Sequence, residues 1–110
     1  MDREAYINKV KEQACQVAIQ LLESDKMYID HTLELSNLGR EIYAEIWNTE
    51  FHIFGVIASD TDHIPVNDMR NKCSEEFLER IDNETKELIV FYKKEVTKAC
   101  NEILFKHKCA

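Results

Sequence analysis

The sequence predicts an all-α protein: a single-domain antiparallel helical bundle of about four helices, covering residues 1–110 and ending in a long helix. Only two glycines and one proline occur in 110 residues, which leaves few residues for the tight turns of an all-β fold. Apolar residues recur at spacings of three and four through most of the chain, which is the period of an amphipathic helix. With 45% hydrophobic and 32% charged residues, the composition is typical of a globular domain with one core.

The first predicted helix runs from about Arg3 to Glu23. Asp2 can cap it, because a short acidic side chain accepts hydrogen bonds from the first free amides of a helix. The polar residues 24–26 then provide a short turn. The apolar stripe of this helix consists of Ile7, Val10, Ala14, Val17, Ala18 and Leu21.

The second predicted helix begins near Met27 and reaches Trp47. Gly39 lies inside its apolar pattern and costs about 1 kcal/mol relative to alanine in a helix. Two arrangements accommodate this glycine: a break at residues 37–39, or a continuous helix that crosses another segment closely. The periodicity favours the continuous helix. Its apolar face consists of Leu35, Leu38, Ile42 and Ile46.

A short third helix is predicted from Phe51, Phe54 and Ile57, which follow one another at spacings of three. The same run is also compatible with a buried strand, since phenylalanine, isoleucine and valine favour strands and Gly55 interrupts a helix. We favour the helix because no second strand is apparent nearby to pair with this segment.

Residues 59–66 are predicted to form a connecting loop, because Pro65 biases the preceding residue towards an extended conformation. Asn67 can then cap a single helical turn that extends through Cys73. Ser74, followed by two glutamates, is a strong signal for the start of the last helix, since a hydroxyl acceptor and negative charges both suit the free amides there.

The last predicted helix has about 33 residues and a length of about 50 Å, against about 30 Å for the first helix. One of its ends is therefore expected to project or bend, and a projecting apolar end would need a partner. Lys106 and Lys108 suit the negative C-terminal end of the helix. The residues that keep its apolar spacing are Leu78, Ile81, Thr85, Leu88, Tyr92, Val96, Ala99, Ile103 and His107.

The formal net charge is −7, and it is unevenly distributed. Residues 41–87 contain twelve acidic and four basic residues, a net charge of −8, whereas residues 88–110 contain two acidic and five basic residues, a net charge of +3. An acidic domain repels phosphates, and the C-terminal lysines lack the arginines and interleaved aromatic residues of a phosphate-binding groove, so we expect no nucleic-acid binding. Those lysines are Lys93, Lys94, Lys98, Lys106 and Lys108.

A cytoplasmic location without membrane insertion is expected, because no apolar run approaches the ~18 residues of a membrane span and the N-terminus lacks the pattern of a signal peptide. The four cysteines are then expected to be reduced thiols that behave as small apolar residues. Cys15 and Cys100 fall on predicted apolar helix faces, which supports this interpretation. Cys109 and His107 are two metal-ligand types near one terminus, which makes a weak site.

The segment around Asp60, Asp62 and His63 is the main candidate for a functional site. These carboxylates and imidazole can bind a divalent metal ion, or a carboxylate can orient the imidazole as a general base, if the loop brings them together. Glu50 and His52 lie just upstream and can join the site if the third helix places one end beside the loop. The alternative is structural, since aspartate and threonine before a proline are common turn residues.

Catalytic signatures are otherwise missing, and we assign no catalytic residues. The Glu-x-x-His pairs of di-metal bundles do not occur, and neither does a phosphate-binding loop, a dinucleotide fingerprint, an H-E-x-x-H motif or a G-x-S-x-G motif. These absences favour a non-enzymatic protein that needs no cofactor. The alternative is a metal-binding bundle or metal-dependent hydrolase that uses the loop at residues 60–63.

An aromatic group formed by Tyr43, Trp47, Phe51 and Phe54 follows helical spacing. Its simplest interpretation is a part of the core, and its alternative is a partner-binding groove or dimer seam. The sequence thus predicts a small acidic bundle that acts through protein–protein association, as a homodimer, an adaptor or an inhibitor of the immunity type. The homodimer would form on the long last helix or on the aromatic group.

Overall fold

The computed structural model describes residues 2–64 and 67–107, and within these ranges every regular element is a helix. This confirms the all-α bundle. The predicted roles of Pro65, Val66, Lys108 and Cys109 concern residues outside the described ranges. The helices, in chain order, are α1 (Arg3–Glu23), α2 (Tyr28–Tyr43), α3 (His52–Asp60), the four-residue α4 (Asn67–Arg70) and α5 (Glu75–His107).

Helix α1 has the predicted bounds, and its start is capped as the sequence suggests. The Asp2 carboxylate accepts a hydrogen bond from the amide of Ala5 at 2.7 Å. In the turn that follows α1, the hydroxyl of Ser24 accepts from the amide of Lys26 at 3.0 Å. Local hydrogen bonds of this kind end one helix before the next begins, so α1 and α2 can fold back on each other.

Helix α1 packs against both α2 and α5, and it runs antiparallel to each of them. In both pairs, the residue numbers of the contacts rise along one helix as they fall along the other. Helix α3 packs on α2 and reaches α5, which closes the bundle. The contacts that define these directions are Tyr6–Glu41 and Gln13–Glu34 for α2, and for α5 Cys15–Ile103 and the contact of Lys93 with Asp25, which lies just after α1.

Helix α2 ends four residues earlier than predicted, at Tyr43 instead of Trp47. Ala44 has a φ of 64°, in the left-handed region, so the chain leaves the helix there. Ile46 is nevertheless buried, because the connecting segment folds back over the core. Periodicity alone misplaced this boundary, since a loop residue fills the position that the next helical turn would have filled.

Gly39 does not break α2, and the close contact at this glycine is with the segment that follows α2 instead of with a crossing helix. A Cβ atom built on Gly39 would lie 2.6 Å from Cγ of Phe51 and 2.9 Å from Cγ2 of Ile46. Only a glycine at this position lets the segment after α2 approach so closely. Phe51 then leads directly into α3, which confirms the helical interpretation of that run over the strand interpretation.

Helix α5 begins after Ser74, whose hydroxyl accepts from the amide of Phe77 at 3.2 Å. It contains 33 residues, as predicted. Its inner face carries seven buried residues, of which only Ile81 precedes Tyr92. The N-terminal half of α5 is therefore covered less than the C-terminal half. None of the described helices combines the length and the apolar composition that crossing a bilayer requires.

Candidate functional site

The predicted loop site is distributed over separate contacts with α5. The carboxylate of Asp60 accepts a hydrogen bond from the hydroxyl of Tyr92. His63 Nε2 lies 2.7 Å from a carboxylate oxygen of Glu84, and both side chains are about half exposed. Asp62 is exposed to solvent. Two side-chain pairs thus tie the end of α3 to the middle of α5 and the loop to the N-terminal half of α5.

The two upstream candidates, Glu50 and His52, lie at the opposite end of α3. The imidazole Nδ1 of His52 accepts a hydrogen bond from the amide of Asn48 at 3.1 Å, and its ring packs edge-on against Trp47. Glu50 is buried and forms its hydrogen bonds with Tyr43 and His107 instead. Among the described residues, no three side chains of the histidine, cysteine, aspartate or glutamate type form a group suited to a metal ion. The metal site therefore stays a prediction from sequence that this geometry does not favour.

Glu50 is the centre of a buried polar cluster, which we call the Glu50 cluster and which consists of Tyr43, Glu50, Lys106 and His107. The hydroxyl of Tyr43 donates to Oε2 of Glu50 at 2.7 Å, and Nε2 of His107 lies 2.6 Å from the same oxygen. The ammonium of Lys106 lies 3.6 Å from Oε1. The Glu50 side chain is 1% exposed and that of His107 is 6% exposed, so their pair is screened from water.

The Glu50 cluster holds its carboxylate in the ionised form. Burial raises the pKa of Glu50, but the hydrogen bonds from Tyr43, from its own amide and from His107, together with the charge of Lys106, outweigh it and leave this pKa below its ordinary value. An ionised carboxylate only accepts hydrogen bonds, so Nε2 of His107 is the donor. Burial and the bond to Glu50 in turn raise the pKa of Tyr43 to about 12.

The position of the Glu50 cluster indicates a structural role. Tyr43 ends α2, Glu50 lies just before α3, and His107 is the last residue of α5, so the cluster fastens three elements at one end of the bundle. The ring of His107 also lies 6.0 Å from the ring of Phe51 in the core. Sequence analysis treated Glu50 as a metal ligand and missed this cluster. The available signal was that His107 completes the apolar spacing of α5.

The aromatic group predicted as core or as a partner surface is divided between the two. Phe51 and Phe54 are fully buried, so in this fold they are not accessible to a partner. Tyr43 and Trp47 are partly exposed at one end of the bundle. The surface that the four residues were predicted to offer a partner is therefore reduced to Tyr43 and Trp47, and its role in binding stays a prediction.

The most exposed of the large apolar side chains among the described residues lie on the outward side of α5. We call this surface the α5 outer face and define it by Val90, Phe91, Lys94, Lys98 and Phe105. Val90 is 78% exposed, Phe91 75% and Phe105 90%. Every other exposed large apolar side chain of the described residues is at most 50% exposed. Single exposed apolar residues are ordinary on protein surfaces. Two highly exposed phenylalanines on one helix neither add to the core nor favour solubility, and such exposed apolar surface often marks an interaction site. The sequence contained this signal, because positions 90, 91 and 105 fall outside the apolar stripe predicted for the last helix.

Comparison with known proteins adds no relative: no family model, curated protein or solved structure matches this chain at a significant level.

Proposed function

We propose that this protein functions by protein–protein association and that the α5 outer face is its contact surface. The observation that carries the proposal is the exposure of Val90, Phe91 and Phe105, which are the three most exposed large apolar side chains among the described residues. Burying a phenylalanine that is this exposed contributes about 2–3 kcal/mol. Aromatic residues at the centre of a contact also supply much of the binding energy of known interfaces.

The supporting surface is rigid and well separated from the core. Helix α5 is anchored on its opposite side by seven buried residues and at its last turn by the Glu50 cluster. A contact surface on such a helix is held in one conformation before binding, so little conformational entropy is lost when a partner docks.

The charge layout narrows the class of protein that this is. Most acidic residues of the segment 41–87 are exposed, whereas the C-terminal part of α5 is basic. Such a surface suits a homodimer, an adaptor, or an inhibitor of the immunity type that covers a basic site on another protein. A cytoplasmic location and action without a catalytic centre or cofactor belong to the same proposal.

Site-specific photo-crosslinking in the cells that make the protein tests this proposal. A benzoylphenylalanine residue is introduced at position 91 or 105, and at Met69 as a control on α4 that is 50% exposed. We expect discrete adducts from positions 91 and 105 and none from the control. The proposal places both phenylalanines in one contact surface. Adding Phe91→Ser should therefore weaken that contact and abolish the adduct from position 105. Absence of adducts, or the same adducts from the control, would refute the proposal.

A further inference from the structure

Two lysines of the α5 outer face carry charge that no described carboxylate neutralises. Lys94 and Lys98 are exposed and lie between Phe91 and Phe105 in the sequence. Neither lysine forms an ion pair among the described residues, whereas two other lysines of α5 do. The positive charge at the centre of this face is therefore available to a binding partner.

The two phenylalanines and the two lysines project in similar directions. Successive residues of a helix are rotated by about 100°, so the four side chains fall within an arc of about 60°. Two acidic residues of the same segment, Glu95 and Glu102, fall outside this arc and border a groove between α3 and α5, next to Lys98. Glu102 lies 3.9 Å from the ammonium of Lys106. No acidic residue between positions 90 and 105 projects inside the arc, so the face itself is apolar and positive.

This charge disfavours a second copy of the same face as the partner. Residues 89–107 contain four basic and two acidic residues, a net charge of +2. Two copies of the face would bring like charges together, which costs binding free energy. A partner with negative charge gains from the same lysines.

An extended polyanion, such as a membrane surface or a nucleic acid, is also disfavoured. The chain as a whole has a net charge of −7, and residues 41–87 have a net charge of −8, so a large polyanion would meet repulsion around the face. Lys94 and Lys98 are also fewer than the about four to eight basic residues of a lipid-binding cluster. A protein segment can instead place its carboxylates opposite these two lysines alone.

The fold favours a helical partner. The described residues contain no strand, so they offer no sheet edge to which an extended peptide could hydrogen-bond. A helix satisfies its own backbone hydrogen bonds and can pack lengthwise on α5. The 14 residues from Phe91 to Phe105 span about 21 Å, so about four turns of a partner helix would cover both rings.

We propose that the partner of the α5 outer face is an acidic amphipathic helix of a different protein. Its apolar side covers Phe91 and Phe105, and its carboxylates pair with Lys94 and Lys98. This inference rests on the proposed function and adds the chemistry of the partner, which among the three classes of protein named above fits an adaptor. Charge pairs at such a contact contribute more to the choice of partner than to affinity.

Peptide selection tests the chemistry of the partner. A phage library of random peptides of about 16 residues, about 24 Å long as a helix, is selected on the immobilised wild-type protein. The soluble double variant Phe91→Ser, Phe105→Ser is present as a competitor and removes peptides that bind elsewhere. We expect the enriched peptides to be negatively charged, with apolar residues at helical spacing. Neutral or basic enriched peptides, or no enrichment, would overturn the inference.

Charge reversal tests the two lysines. The Kd of the most enriched peptide, labelled with a fluorophore, is measured by fluorescence anisotropy at about 0.15 M salt, where distant charges are screened. Lys94→Glu, Lys98→Glu should raise this Kd at least about fivefold, because two attractions become repulsions. The control Lys72→Glu, Lys86→Glu changes the net charge equally at two other exposed lysines and should alter the Kd less than about twofold. Equal effects of the two variants would overturn the inference.

Vesicle sedimentation tests the membrane alternative. The wild-type protein should remain in solution with vesicles of equal parts phosphatidylserine and phosphatidylcholine. Binding to these vesicles that is lost in the double variant Phe91→Ser, Phe105→Ser would identify a lipid surface as the occupant of the face and overturn the inference.

Crosslinking in cells separates this inference from the proposed function. Specific adducts from positions 91 and 105 that Lys94→Glu, Lys98→Glu leaves unchanged would refute the acidic partner and leave the proposed function standing. The absence of specific adducts would refute both.

Discussion

Glu50→Ala is expected to destabilise the fold by about 2 kcal/mol at neutral pH. Removing one partner of a buried hydrogen bond leaves the other group buried without a partner and costs about 1–3 kcal/mol. The bond between His107 and Glu50 meets that condition, since the two side chains are 6% and 1% exposed and lie 2.6 Å apart. We take the middle of the range because Lys106 is about half exposed and Tyr43 is partly exposed, so both can find water.

The assay is urea denaturation followed by far-ultraviolet circular dichroism, with Asp25→Ala as the matched control. Asp25 forms a 2.8 Å ion pair with Lys93 in which both side chains are more than half exposed. Exposed pairs of this kind contribute about 0.2–1 kcal/mol, so the control should lose no more than that. If Glu50→Ala lowers the free energy of unfolding by as little as Asp25→Ala does, the Glu50 cluster does not stabilise the fold and the reasoning fails.

The pH dependence of the same variant checks the charge state. The folded-state pKa of Glu50 lies below its ordinary value of 4.5. The ionised carboxylate therefore adds stability above pH 4.5, and this addition is lost as the pH falls through the lower folded-state pKa. The stability difference between the wild type and Glu50→Ala should narrow over that acidic range. A difference that is constant from neutral pH into this range would show that the interaction does not depend on the ionised form.

Two further predictions concern the core and the tyrosines. Gly39→Ala should lower the free energy of unfolding by about 2 kcal/mol in the same assay, because overpacking of about 3 kcal/mol against Phe51 exceeds the gain of about 1 kcal/mol in helix propensity. Gly55→Ala should cost less, because its nearest contact is the terminal Cδ1 of Ile46 at 2.8 Å. Equal losses would contradict the close contact at Gly39. Spectrophotometric titration should find the tyrosine titration displaced to higher pH in the folded protein, because hydrogen bonds to carboxylates or burial raise all four pKa values, that of Tyr92 to about 12 through its bond to Asp60. Since tyrosines of the unfolded chain lose their protons at lower pH than those of the folded protein, the free energy of unfolding should fall between pH 10 and 12. A tyrosine titration of the folded protein that matches the titration in urea would contradict the prediction. The tyrosines are Tyr6, Tyr28, Tyr43 and Tyr92.

The residues of the predicted loop site are close in sequence but do not converge in the fold. Asp60, Asp62 and His63 lie within four residues of one another, yet Asp60 and His63 bond to different turns of α5 and Asp62 faces solvent. Closeness in sequence limits the distance between two backbones but does not determine the direction of the side chains. Conversely, Glu50 and His107 are 57 residues apart, yet their buried side chains lie 2.6 Å apart. The helical spacing of α5 indicates that His107 faces the core, but it does not indicate Glu50 as the partner, because that depends on how α3 and α5 pack.

Sequence by itself determined the helical class and the bounds of α1 and α5. Hydrophobic period, capping residues and backbone freedom are local properties, and they act before any helix meets another. Tertiary structure alone decided the end of α2 at Tyr43, the burial of Glu50 against His107, and which apolar residues of α5 remain in water. These depend on the free energy of packing one element against another, which favours a loop isoleucine in the core and leaves Phe91 and Phe105 outside it.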